Sequence, residues 1–149
     1  MQERFETFTV LINRISRNIR KIKNQEMAEY NLRSAHVSCL YYIYTLKGAT
    51  ATDLCERCEE DKATISRAID YLDTNGYITR EVESVRRYKS LLLLTEKGLE
   101  VGKKIANKID EVLDEISDGL TEKERVDFYR SLSIISNSLD KCAQGINSK

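Results

Sequence analysis

Proline is absent from this 149-residue chain, and glycine occurs only six times. With so few residues that interrupt a helix, the chain is expected to be mostly helical. Long apolar runs are missing too. The longest stretch of aliphatic side chains is Leu91 to Leu94, far short of the roughly 20 residues a membrane span needs. The opening Met1-Gln2-Glu3-Arg4-Phe5 lacks the apolar core of a signal peptide. Net charge is zero, because 24 basic residues balance 24 acidic ones. That argues against coating nucleic acid or an anionic membrane with the whole surface, while leaving room for a local basic face. There is one histidine, no phosphate-binding glycine loop and no paired metal motif, so no catalytic residue, metal or cofactor is expected. Four cysteines are too few for a disulfide-held scaffold at this length, and a reducing cytoplasm is the expected setting.

What the chain does have is a globular balance, with 41% apolar and 32% charged residues. A chain of this size buries roughly 70% of its unfolded surface, enough for a core. Phe5, Phe8, Ile12, Ile15, Ile19 and Ile22 recur at spacings of three and four, which predicts one amphipathic helix from about residue 4 to 28. Its other face carries Arg14, Arg17, Arg20, Lys21 and Lys23, as a solvated helix face does. Ser34 is expected to cap a second helix with Val37, Leu40, Tyr41, Ile43 and Tyr44, ending at Gly48. Thr52 is expected to cap a short third helix, and Asp61 a fourth from Lys62 to about Asn75, with Gly76 beyond it.

The period then changes from 3.6 to 2. Tyr77 to Val82 and Tyr88 to Leu94 read as two strands joined by the charged turn Glu83 to Arg87. Thr95 is expected to cap a long helix to about Asp118, and Thr121-Glu122-Lys123-Glu124 fits the capping box of a last helix. The fold class expected is therefore mainly α with a small β-hairpin wing: a winged helix-turn-helix flanked by long terminal helices. The second helix of such a motif has the right width for a DNA major groove. With Ile65, Ala68, Ile69 and Leu72 buried, that helix presents Lys62, Ala63, Thr64, Ser66 and Arg67. Small side chains permit close approach, Thr64 and Ser66 can hydrogen-bond, and Arg67 can grip a guanine or a phosphate. Arg86, Arg87 and Lys89 at the hairpin tip can reach the adjacent backbone or minor groove. From Lys62 to Lys89 there are six basic residues against four acidic ones, an asymmetry hidden by the zero total. A winged helix that binds only protein is the alternative.

The runs Asp61-Lys62-Ala63-Thr64-Ile65-Ser66-Arg67, Asp70-Tyr71-Leu72, Asn75-Gly76-Tyr77-Ile78 and Leu94-Thr95-Glu96-Lys97-Gly98 resemble the signature of the MarR family (multiple antibiotic resistance regulators). The resemblance extends over nearly the whole chain, and residues 61–98 are its specific part. It implies a homodimeric winged-helix repressor or activator, expected here to be a repressor, on an inverted-repeat operator in double-stranded DNA. Residues 1–30 and 96–149 would form the dimerisation region and 31–95 the DNA-binding region. Thr64, Ser66 and Arg67 match the DNA-contacting segment, and Arg87 the wing arginine. Where the family has Leu-Gly-Leu between the two reading helices, this chain has Cys58-Glu59-Glu60, which would place Glu59 in a backbone conformation that suits glycine. The resemblance further implies a cleft for a small aromatic or phenolic effector. Arg17, His36, Cys39, Tyr41, Tyr42 and Tyr44 would lie near it, unless they are ordinary core and rim residues. Cys55 and Cys58 stand at positions where the family has buried apolar residues; a redox or zinc role is the other reading, and zinc would have only His36 to recruit. Cys142 falls where it could meet a dimer partner.

Overall fold

The breaker-poor sequence folds as helices over most of its length in a computed structural model, which describes residues 2–58, 60–81 and 89–147. It divides into two compact units, Met1–Asn107 and Lys108–Lys149. The first unit opens with α1 (Gln2–Phe5), a π-helical segment Glu6–Leu11 and α2 (Ile12–Glu26). The single helix expected there is thus interrupted by a wider turn, which shifts the apolar stripe by a fraction of a turn. A 3-10 turn at Ala28–Tyr30 and a left-handed Asn31 reverse the chain into α3 (Ser34–Thr45).

Helix α3 buries Ser34, Val37, Ser38, Cys39, Leu40 and Ile43, residues that lie on more than one of its sides, as a central helix does. Ser34 is its first residue rather than its cap, and Arg33 holds the cap position. The free N–H of Ser34 donates to Asn24 Oδ1 at 2.6 Å, so a partner from α2 satisfies a donor that a local cap would otherwise serve. The short helix α4 (Ala51–Arg57) is capped by Thr50, not Thr52. Thr50 Oγ1 accepts from the Asp53 N–H at 3.2 Å, and Asp53 Oδ2 accepts from the Thr50 N–H at 2.9 Å. A cap at Thr52 would have placed Cys55 at the answering position, where no carboxylate returns the bond. Helix α5 (Lys62–Thr74) then packs on α3 and α4.

Strands β1 (Ile78–Arg80) and β2 (Leu92–Leu94) pair antiparallel, with Ile78 opposite Leu94 and Arg80 opposite Leu92. They are shorter than the sequence pattern suggests. Tyr77 gives its N–H to Leu72 O at 2.9 Å and its carbonyl to the Thr95 N–H at 3.1 Å, so it closes α5 instead of extending the ladder. Ala49 adds to the other edge of β2, exchanging two backbone bonds with Leu92. Val82 and Tyr88 lie outside the described residues.

Helix α6 (Glu96–Ser117) starts against this hairpin. Thr95 Oγ1 donates to Gly76 O at 2.6 Å and accepts from the Gly98 N–H at 3.1 Å, and Lys97 Nζ donates to Asn75 O at 2.9 Å. Gly76 sits at φ +76°, the left-handed turn that ends α5. The Leu-Thr-Glu-Lys-Gly run therefore works by clasping the Asn-Gly-Tyr run. The core of this unit gathers Leu32, Leu40, Ile43, Leu54, Ile65, Leu72, Ile78, Leu92 and Ile105, all fully buried. In the second unit, Thr121 and Glu124 form the expected capping box at 3.2 and 2.8 Å, opening α7 (Glu122–Asn147).

A Cβ on Gly98 would overlap the Tyr77 carbonyl oxygen. Gly98→Ala is expected to cost about 1–3 kcal/mol of stability or more, because rigid backbone must move. Gly119→Ala, where an added Cβ meets nothing within 4 Å, is expected to stay within roughly 0.5 kcal/mol of the parent. Urea unfolding followed by circular dichroism compares the two.

Candidate nucleic-acid interface

The N-terminal turns of α5 are fixed from both ends of their chemistry. Asp61 Oδ1 accepts from the Thr64 N–H at 2.7 Å. Donation from that N–H and from the Thr64 hydroxyl, helped by the nearby Arg67 charge, holds the exposed Asp61 carboxyl below its ordinary range. Behind this start, Ile65, Ala68, Ile69 and Leu72 are buried. The 3.6 period then leaves Lys62, Ala63, Ser66 and Arg67 exposed and Thr64 half-buried. Arg67 Nη2 donates to Thr64 Oγ1 at 3.3 Å, which lays the guanidinium along the helix face. The five α5 residues expected from sequence thus lie together on the first turns of the helix.

The far side of α5 is anchored to the start of α3. Tyr71 donates its hydroxyl hydrogen to Asn31 O at 2.9 Å, and its ring stacks on His36 with centroids 4.4 Å apart. His36 Nδ1 accepts from the Arg33 N–H at 2.9 Å. Burial, and then the Arg33 charge, push the imidazole below its ordinary pKa and favour the neutral ring that this bond requires.

Arg80 was not singled out by the sequence pattern, yet it joins wing to helix. From the end of β1 its Nη2 meets Asp70 Oδ1 and its Nε meets Asp73 Oδ2, both at 3.3 Å. The available signal was two aspartates three residues apart on α5 beside an arginine in the next strand. An open groove of about 520 Å³ runs between α4, α5 and β1, with Lys62, Ser66, Asp70 and Arg80 at its rim. Lys89 is exposed where the wing returns. Arg86, Arg87 and Glu59 lie outside the described residues.

The six residues expected around an effector point to different neighbours. Tyr41 and Tyr42 form an edge-on pair with centroids 5.1 Å apart, and the Arg57 guanidinium lies 6.0 Å from the Tyr42 ring. His36 faces Tyr71, Cys39 is wholly buried, and Tyr44 packs where a Cβ on Gly102 would lie 3.1 Å away. Arg17 is exposed on α2. Only the two adjacent tyrosines are brought into ring contact with one another. Among the described residues, no three His, Cys, Asp or Glu side chains gather as a metal site would need, and no helix is long and apolar enough to cross a membrane.

A capped reading helix behind a short helix, followed by a two-stranded wing, defines a winged helix-turn-helix protein. Residues 30–87 match the model of the MarR family. Over 85 residues, the chain is 28% identical to the uncharacterized HTH-type transcriptional regulator YwoH of Bacillus subtilis (strain 168). That match takes in 57% of this chain and 62% of YwoH, so it spans less than two thirds of the relative's length. Among solved structures, a MarR family regulator from Neisseria meningitidis superposes with a TM-score of 0.80 at 20% identity, over 95% of this chain and 96% of its own. A chain from Listeria monocytogenes, named as a MarR family transcriptional regulator and solved in complex with a 26mer DNA, reaches 0.78 at 27% identity over 86% and 85%. Over residues 30–87 the chain is thus similar to the MarR family, and over most of its length it shares the fold of the regulators solved from Neisseria and Listeria.

Because the folded Asp61 carboxyl titrates below its unfolded value, its contribution to stability is present above about pH 3.9 and fades as pH falls through the folded value. Asp61→Ala is expected to lower the thermal midpoint at pH 7, with the gap to the parent narrowing in acid. Melts from pH 7 to pH 2.5 check the trend.

Proposed function

We propose that the chain acts in the cytoplasm as a homodimeric repressor on an inverted-repeat operator in double-stranded DNA. The observation that carries this reading is the outer face of α5. Lys62, Ser66 and Arg67 stand exposed on a helix start whose back is locked by Ile65, Ile69, the Asp61 cap and the Tyr71–His36 stack. Arg67 supplies a guanine or phosphate contact, Thr64 and Ser66 supply shorter-range hydrogen bonds, and Ala63 leaves room for the groove. Arg86, Arg87 and Lys89 extend the footprint along the duplex, with Arg87 as the minor-groove residue. The similar chain from Listeria solved with a 26mer DNA supports DNA as the partner.

Support for the dimer comes from apolar surface that the single chain leaves uncovered. On α2, Ile12, Ile15, Ile19 and Ile22 are exposed; on α7, Val126, Phe128, Leu132, Leu139 and Ile146 are. Faces of this extent mark association sites, and a second copy covers them by symmetry. On this reading residues 1–30 and 96–149 form the dimerisation region and residues 31–95 the reading unit. A small aromatic or phenolic effector would be held near the Tyr41–Tyr42 pair and would release the operator.

The test is selection from a random duplex pool near physiological salt, with the mass in solution measured alongside. The expected result is a species of twice the 17.2 kDa chain mass and an enriched inverted repeat with half-site centres about 10 base pairs apart. Arg67→Ala with Arg87→Ala is expected to weaken that site by roughly tenfold or more, and to flatten its salt dependence, with the dimer intact. A pool that stays random would reject the operator and point to a protein partner for the winged helix.

A further inference from the structure

The turn between α4 and α5 carries a carboxylate that is tied to the helix before the reading unit. Glu60 directly precedes Asp61, the cap of α5, and its side chain is only 16% exposed. Its Oε1 meets Arg20 Nη2, from α2, at 3.3 Å. One turn further along α2, Lys23 Nζ donates to Ser38 Oγ at 3.0 Å, and Asn24 Oδ1 accepts from the Ser34 N–H at 2.6 Å. Arg20, Lys23 and Asn24 follow the spacing of neighbours on one helix side, so a single polar stripe makes all three contacts. Ile12, Ile15, Ile19 and Ile22 stay exposed on another side. Helix α2 thus turns polar groups toward its own chain and apolar groups away from it, the reverse of an ordinary surface helix. Lys23 and Asn24 hold α3. The Arg20–Glu60 pair reaches past α3 to the turn ahead of α5.

We propose that Arg20 and Glu60 are positioning residues for DNA reading: the pair fixes the start of α5 against α2, and so sets the separation at which two copies hold their reading helices. The effect on DNA rests on the dimer and operator proposed above; the pinning of the turn does not. An ion pair whose arginine is 58% exposed adds little to global stability. Its effect is geometric. The Asp61 cap bond to the Thr64 N–H follows Glu60 directly, so a shift of Glu60 passes to the first turn of α5, where Lys62, Ser66 and Arg67 stand. A two-fold pair of reading helices meets two half-sites at once only when their separation is held. A loosened turn must be reordered at each binding event, at a cost in affinity for the correctly spaced site.

Two measurements on the full chain test this, one with DNA and one without. The first is the ratio of affinities for the selected site and for the same site with its half-sites moved by about two base pairs. The ratio cancels the general effect of charge on DNA affinity. Arg20→Met is expected to lower it by about threefold or more, and adding Glu60→Gln to lower it no further, because both changes break one contact. Arg20→Lys is expected to keep the parent's ratio. The second is amide hydrogen exchange of the DNA-free protein at Cys58, Thr64 and Ile65, whose N–H groups are hydrogen-bonded on either side of the turn. Arg20→Met is expected to speed that exchange by about two- to fivefold, while the thermal midpoint moves by less than about 3 °C. Lys21→Met removes the same charge from the same helix and is expected to change neither reading. A selected pool that stays random would reject the operator, and exchange then decides the pinning alone. Exchange that is unchanged in Arg20→Met, exchange that rises as much in Lys21→Met, or a spacing ratio that holds while exchange rises would each overturn the assignment.

Discussion

The placement of the reading helix and of the wing depends on one close contact, the approach of the α6 start to the Gly76–Tyr77 backbone. Thr95 bonds to both Gly76 and Gly98 through a single hydroxyl, and Gly98 has no Cβ to hold the Tyr77 carbonyl away. Three directions are set there at once: where α5 stops, where β1 begins and where α6 leaves. A winged helix has a small sheet that contributes little on its own. Fixing both ends of that sheet by backbone contacts replaces the support that more strands would give.

Much of this was legible in the sequence because its causes are local. Asp61 and Thr121 announce their helices through side chains that reach only three residues ahead. The outward residues of α5 follow from the positions of Ile65, Ala68, Ile69 and Leu72 alone. Where two local solutions competed, the pattern chose wrongly. Thr52 and Thr50 are both plausible caps, and the answering carboxylate of Asp53 decides between them. The strands were overextended because Tyr77 belongs to the alternating pattern but spends its hydrogen bonds on the end of α5 and the start of α6.

The features that escaped are long-range. Periodicity marks α3 as apolar on many sides, but it does not say which neighbour each side meets. His36 goes to Tyr71 and Tyr44 to Gly102, while Cys39 is wholly buried. A row of aromatic residues on one helix is therefore shared among several contacts, the Tyr41–Tyr42 edge and the His36–Tyr71 stack among them.

Arg80 gives the charge pattern a meaning that counting does not. By residue numbers the segment around α5 is only mildly basic. By position, the two carboxylates of the helix's second half, Asp70 and Asp73, are engaged by a guanidinium from the sheet, while Lys62 and Arg67 stand forward at the helix start. The wing thus does for the helix what a counterion would do in solution, and it does so from a fixed direction. The second half of the helix thereby carries its neutralising charge within the fold, whereas Lys62 and Arg67 at its start, beside the Asp61 cap, stay open to solvent.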